Sequence, residues 1–300
     1  MRPSILTDWT AQKAAAFTRE TLRFRHRLHE RLMFTDAGLV EILDRCPRER
    51  LAVFTMGEDP ADSASWRRGV AGDLSGTELL RAARDGRLCL SLRGVNEHHG
   101  DYAALSAEIF ADKARFAPHV RTSHRELTLT ISSPGAQTFY QTDLAAASMF
   151  QVRGRRSLWV YPAQAPFVGE DHLERRTLGQ AGRHLAWEPA FDEAARLIAL
   201  EPGCMASWAP ATPFRAVNHD LNVTLTAEFM TPAARMQADI IYANACLRRR
   251  FGARPVVQHG LHPKALGKAA LGQVLQRMAR RRTFVHTRPQ FRLAVTRTAA

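Results

Sequence analysis

The chain has 300 residues, 45% of them hydrophobic and 24% charged, the balance of an ordinary folded protein with length for one large domain or two smaller ones. No window approaches the ~18 apolar residues of a membrane-spanning helix. No apolar run precedes a small-residue cleavage site near the N-terminus, and Cys46, Cys89, Cys204 and Cys246 are too scattered for a zinc site or a disulfide framework, so a reducing cytoplasm is the expected setting. The net charge of +13 is unevenly placed: thirteen of the 42 Lys and Arg, and no acid, fall between Arg248 and Ala300, which leaves 29 basic against 29 acidic residues before them.

Residues 8–34 read as a helix: apolar Ala14, Phe17, Leu22, Leu28 and Leu32 recur among Arg, His and Glu, and Asp8 can cap them. A short helix is expected over 37–45, ended before Pro47, then a strand over 51–56 and a loop over 57–69. Ser75 with Glu78 three residues on is a capping box and Gly86 a stop signal, which predicts a helix over 76–85. A strand over 87–95 and a helix over 101–116 follow. Between them His98–His99 reads as solvated loop and not as a metal pair, because adjacent residues on a strand point apart.

From about residue 125 the pattern changes. ELTLTISS, SLWVYP, RLIALEPG and NVTLTAEFM are short segments broken by Pro, Gly or Asn, as in a β-sandwich or barrel. After Thr231 the chain turns helical again, passes a Gly/Pro/His-rich link at 252–263, and ends in a basic helix over about 264–282. Helices, β core, helices is an α+β order. It divides into a mixed N-terminal region packing on the barrel (1–124), a barrel core (125–232) and a basic helical region (233–300).

Two blocks carry chemistry. The first is Ser132-Ser133-Pro134-Gly135, then Thr138-Phe139-Tyr140-Gln141-Thr142-Asp143, then Phe150-Gln151-Val152-Arg153-Gly154-Arg155-Arg156, then Leu158-Trp159-Val160-Tyr161-Pro162. The second is Leu200-Glu201-Pro202-Gly203, then Trp208, Pro210 and Pro213, then Asn218, Asp220 and the strand Leu221–Thr226. Together they resemble the cupin-like JmjC oxygenases, Fe(II) and 2-oxoglutarate enzymes built on a double-stranded β-helix. The family pattern is Tyr-His-x-Asp, about ten residues, Gln-Ile-x-Gly-x-Lys/Arg and a strand ending in Pro, later joined by a Pro-Gly-Asp turn and a W-P-x-x-x-P-H approach. The resemblance spans residues 125–232 and implies a cupin or jelly-roll barrel flanked by N- and C-terminal helices.

Such a site holds Fe(II) with two imidazoles and one carboxylate, leaving positions open for 2-oxoglutarate and oxygen. His-x-Asp serves because residues i and i+2 of a strand face the same side. Here Gln141 takes the first histidine position and Asp143 is retained. The second histidine falls on Phe214 if Asn218 and Asp220 set the register, or on Arg215 in a shifted reading, and neither ligates iron; His219 stands several places away. The resemblance also assigns Arg156 and Thr138 to the far carboxylate of 2-oxoglutarate; an arginine can clamp a carboxylate through two hydrogen bonds. Alternation puts Arg156 on the face of Leu158 and inward, while Met149, Phe150 and Val152 read as barrel core, Trp159 and Trp208 as structural tryptophans, and Cys204 as a small apolar side chain.

The resulting reading is a degenerate oxygenase, a binding or regulatory protein that takes a small carboxylate. Its rival is an active Fe(II)/2-oxoglutarate hydroxylase using Asp143, Gln141 and a further ligand such as His219 or a water. For the basic C-terminal segment the first expectation is a helical homodimer element with a stripe of Leu266, Leu271, Val274, Leu275 and Met278, ahead of a solvated face and of nucleic-acid binding.

Overall fold

Alternation of inward and outward side chains along short strands, more than helical period, organises the chain. The computed structural model describes residues 3–252, 263–278 and 288–294. The N-terminal part contains α1 (Ala11–Ala16), β1 (Leu22–Arg25), α2 (Asp36–Arg45), β2 (Leu51–Thr55), β3 (Arg67–Val70), α3 (Gly76–Asp85), β4 (Leu88–Arg93), α4 (Val95–His98) and α5 (Gly100–Phe116). Next come β5 (Ser123–Ser132), β6 (Gln137–Gln141), β7 (Ala146–Arg153), β8 (Arg156–Val160) and α6 (Glu170–Thr177). They are followed by β9 (Arg196–Leu200), β10 (Cys204–Trp208), β11 (Phe214–Asn218) and β12 (Asn222–Met230), then α7 (Pro232–Phe251), α8 (Pro263–Met278) and β13 (Phe291–Arg292).

The strands form two sheets, one in the order β1-β10-β7-β12-β5-β4-β2-β3-β13 and a smaller one in the order β6-β11-β8-β9. From β5 to β12 the chain deals its strands between the two: β5, β7, β10 and β12 enter the large sheet, and β6, β8, β9 and β11 the small one. The N-terminal strands widen the large sheet at both ends, β1 beside β10 and β4 beside β5. The architecture is therefore mixed α+β, with helices at both chain ends. At the tight turn between β7 and β8, Gly154 sits at φ +72°, and a Cβ there would meet the Leu221 carbonyl oxygen at 2.2 Å, so only glycine fits.

Two apolar cores follow from the two faces of the large sheet. Its outer face, with Leu129, Ile131, Phe150, Val152, Leu225 and Phe229, packs with Leu39, Leu43, Leu79, Leu105, Ile109 and Phe110 from α2, α3 and α5. Met149 and Trp208 from its inner face meet Leu158, Val160, Ile198, Leu200 and Phe214 of the small sheet. Each such side chain contributes about 1.5–3 kcal/mol on burial. The expected capping box of α3 is present in full: Glu78 N donates to Ser75 Oγ and Ser75 N to the Glu78 carboxylate.

Several expectations need correction. Residues 8–34 are not one helix. Thr10, not Asp8, caps the six-residue α1, the backbone turns at Thr18 (φ +68°), and Leu22–Arg25 pairs antiparallel with β10. The reason is visible in LRFR, which alternates apolar and basic residues and buries Phe24 fully. The 57–69 loop contains a 3-10 turn at Ser63–Ser65 and the start of β3, and His98 ends the single-turn α4 instead of lying in a loop. The last helix is described as Pro263–Met278; residues 253–262 of the expected link and 279–282 of the expected helix lie outside the described residues. On α8 the small residues Ala265, Ala269 and Gly272 are buried, Leu266, Leu271, Val274 and Met278 are exposed, and Leu275 is half-buried. Among the described residues no helix is long and apolar enough to cross a membrane.

Candidate functional site

The two sheets enclose a cavity of about 310 Å3. Thr138 and Gln141 reach it from β6, Asp143 from the turn after β6, Met149 from β7, Arg156 from β8, Phe214 and Asn218 from β11, and Thr224, Thr226 and Glu228 from β12. Gln141 and Phe214 are direct cross-strand partners, and both line the cavity. Arg215 does not line it. Its guanidinium stacks on Trp159 at 3.8 Å and Trp187 at 4.8 Å, donates to Tyr161 Oη at 2.8 Å and pairs with Asp192. His219 lies past the other end of β11, with its ring Nε2 2.9 Å from Ser157 Oγ, and is not among the cavity-lining residues.

Asp143 is fully engaged. Its Oδ1 accepts from Leu144 N at 2.7 Å, and its Oδ2 lies 2.7 Å from Arg183 Nη2 and 3.6 Å from Arg176 Nη2. Arg183 also reaches Glu228, at 3.3 and 3.4 Å, so one guanidinium bridges two carboxylates at the cavity. The segment carrying it runs antiparallel beside β6: Thr142 N donates to Arg183 O at 3.1 Å, Leu185 N to Tyr140 O at 2.9 Å, and His184 bridges Gln141. Burial acts to lower the pKa of Arg183, but Asp143, Glu228 and Glu126 outweigh it and hold the guanidinium above the ordinary arginine range. Burial pushes the Glu228 carboxyl up against the opposing pull of Arg183.

This donor set does not fit Fe(II). At the positions that the sequence resemblance assigns to two imidazoles and a free carboxylate stand an amide, a phenyl ring and a carboxylate already held by arginine. Among the described residues no group of three or more His, Cys, Asp or Glu could hold a metal ion.

Arg156 lies elsewhere in the cavity wall and is 4% exposed. Its Nε donates to Asn218 Oδ1 at 2.7 Å and its Nη1 approaches Met149 Sδ at 3.4 Å, while Asn218 Nδ2 donates to Ser132 Oγ at 2.8 Å and Ser133 O at 3.1 Å. Among the described residues no carboxylate pairs with it. Burial pulls the guanidinium down to about 10, still a cation at neutral pH, and pushes the neighbouring Cys89 thiol up to about 12. A buried cation without a counter-charge favours an anionic ligand. Trp208, 4.8 Å from Phe214 between ring centroids, lines the cavity as well as packing its wall. Cys204 is fully buried, and its sulfur also receives Arg23 Nη2 at 3.0 Å.

Arg183 and Glu228 carry no mark in the family pattern. Glu228 was legible as the third member of the inward series Thr224, Thr226, Glu228. Arg183 sits between α6 and β9, where no period marks its position.

The architecture is a mixed α+β fold of the kind seen in solved structures of one bacterial protein. The particular solved protein it is similar to is YcfD of Escherichia coli. One YcfD structure has 17% identity and a TM-score of 0.54 over 92% of this chain and 69% of that chain. Another, described as a ribosomal oxygenase, has 16% identity and a TM-score of 0.51 over 92% and 68%. A third, in complex with cobalt and 2-oxoglutarate, has 16% identity and a TM-score of 0.50 over 91% and 67%. At these identities the likeness is one of fold. No family model matches the sequence, and no curated protein does.

Proposed function

We propose that this chain is a carboxylate-binding protein that works without metal, a double-stranded β-helix whose iron site has given way to an arginine–carboxylate cluster. The observation that carries the reading is the 2.7 Å pairing of Arg183 with Asp143, beside a Gln141–Phe214 pair, in a cavity that keeps Arg156 buried without a counter-charge. The alternation of β5–β12 between two sheets supports the double-stranded β-helix. YcfD, solved with cobalt and 2-oxoglutarate, suggests the chemical class of the first probe. A binding or regulatory role follows, because the cavity could take a ligand and the described residues offer no donor set for oxygen chemistry.

The test is calorimetric titration with a panel of small mono- and dicarboxylates, 2-oxoglutarate and succinate among them, first with chelator and then with Mn(II). Binding in chelator, unchanged by Mn(II) and weakened roughly 30-fold or more in Arg156→Met, is expected, because truncating one side of a buried charge pair costs about 2–5 kcal/mol. Binding that requires Mn(II) would overturn the proposal in favour of the hydroxylase reading. No binding by any carboxylate of the panel would overturn it outright.

A further inference from the structure

We infer that the ligand is a sugar acid, a six-carbon aldonate or uronate, with its carboxylate on Arg156 and its hydroxyls along the large sheet. The inference rests on the carboxylate reading above and adds the nature of the ligand's body.

The inner face of the large sheet is a ladder of hydroxyls. Ser91, Thr130 and Thr224 form one cross-strand row, and Thr128 and Thr226 form the next. All five line the cavity. None of the five hydroxyls has a hydrogen-bond partner among the described residues. Neighbours in a row stand about 5 Å apart, so one ligand hydroxyl fits between two of them, and the rows lie about 7 Å apart, within the span of a six-carbon chain. One position closer to Arg156, Ser132 is already taken by Asn218 Nδ2, so the free hydroxyls begin where a carboxylate held by Arg156 would end.

The rest of the cavity narrows the class. Phe139 and Phe214 of the small sheet offer flat apolar surface to the C–H faces of a sugar. A dicarboxylate would need a second cation, but Arg183 and Arg176 are paired with Asp143, and Arg93 with Glu126. A fatty acid would cover the five hydroxyls and return no hydrogen bonds, the kind of mismatch that rejects a ligand. A polyhydroxylated monoacid meets all three features.

The experiment compares gluconate and glucuronate with hexanoate by calorimetry, in chelator, on the full chain and on Thr130→Val/Thr224→Val. Valine keeps the branched shape on the strand and deletes the hydroxyl. Gluconate or glucuronate is expected to bind at least tenfold tighter than hexanoate, and the double variant to lose that advantage while its hexanoate affinity holds or rises. Arg156→Met is expected to weaken all three. If hexanoate equals both sugar acids, or if the double variant keeps the preference, the sugar-acid inference is overturned while carboxylate binding stands. If none of the three binds, the sugar-acid inference falls, and the carboxylate reading falls with it when the 2-oxoglutarate and succinate titrations also fail. Thermal melting of the double variant at the wild-type temperature keeps a folding defect from being read as lost affinity.

Discussion

Asp143 and Arg183 meet at 2.7 Å, and the guanidinium continues to Glu228, so an internal cation stands beside the carboxylate to which the sequence resemblance assigns iron. The pairing is chemically coherent: it balances the charge of Asp143 beside Gln141 and Phe214, which are cross-strand partners.

The proposal of a replaced iron site can be tested by building the full ligand set that the sequence resemblance implies. Gln141→His and Phe214→His place two imidazoles beside Asp143, and Arg183→Ala clears the competing cation. The triple variant is expected to bind Mn(II) at micromolar concentrations, seen by calorimetry or electron paramagnetic resonance, where the parent chain shows none. Mn(II) binding to the parent chain would contradict the assignment of Asp143 to Arg183. Failure of a folded triple variant to bind would mean that the strands no longer hold the ligand positions within reach of one ion.

Arg156 is oriented by Asn218, whose Oδ1 accepts from its Nε at 2.7 Å. Asn218→Asp sets a carboxylate at that distance and supplies the missing counter-charge from within. Affinity for any carboxylate ligand is expected to fall tenfold or more, because the internal pair competes for the same guanidinium. Calorimetry on Asn218→Asp beside Arg156→Met checks this. Unchanged affinity in both variants would remove Arg156 from the binding site.

How far these features could be read in the chain depends on how local their causes are. The capping box of Ser75 and Glu78 acts over three residues and appears as written. The strands of the two sheets after residue 123 are legible because alternation is a property of each strand alone. Gln141, Asp143, Arg156 and Thr138 reach one cavity because their spacing reflects strand geometry. Leu22–Arg25 was misread because its strand exists only through pairing with β10, some 180 residues on. Arg183 was missed for a related reason: backbone hydrogen bonds of its segment to Tyr140 of β6 and to Thr142 just past it set its place, and nothing in its own neighbourhood foretells them.

A pH dependence follows from Lys113, 2% exposed, whose ammonium donates to Ser148 Oγ at 2.6 Å and lies 4.5 Å from the Phe229 ring centre and 5.3 Å from that of Phe17. Burial lowers its pKa from 10.5 to about 7. The unfolded lysine keeps its proton up to its ordinary range while the folded one releases it near neutrality. The unfolded chain thus holds more protons between about 7 and 10.5, and this residue makes stability rise with pH across that window. Below it the desolvation penalty is present in full. Lys113→Met is expected to stabilise the protein at pH 6 by about 1–4 kcal/mol, with the gain shrinking towards pH 9. Urea unfolding of both proteins at pH 6, 7.5 and 9 measures it. A variant less stable at pH 6 would show that the surrounding rings compensate the charge through cation–π attraction.

The seating of α8 on α7 can be tested with two glycines of one helix. A Cβ at Gly272 would meet the Asp239 carbonyl oxygen at 2.0 Å, a backbone atom that cannot swing aside, whereas at Gly267 it would meet nothing within 4 Å. Asp239 also takes hydrogen bonds from Gln273 at 3.0 Å and Gln276 at 3.1 Å, so pushing the helices apart breaks these as well. Gly267→Ala is expected to stabilise by about 0.5–1 kcal/mol through helix propensity alone. Gly272→Ala carries the same propensity gain and is nevertheless expected to destabilise, by about 1–3 kcal/mol, as for an overpacked contact. Hydrogen exchange over 263–278 should slow in the first variant and quicken in the second. Two variants that stabilise alike would mean that α8 does not rest on α7 through Gly272.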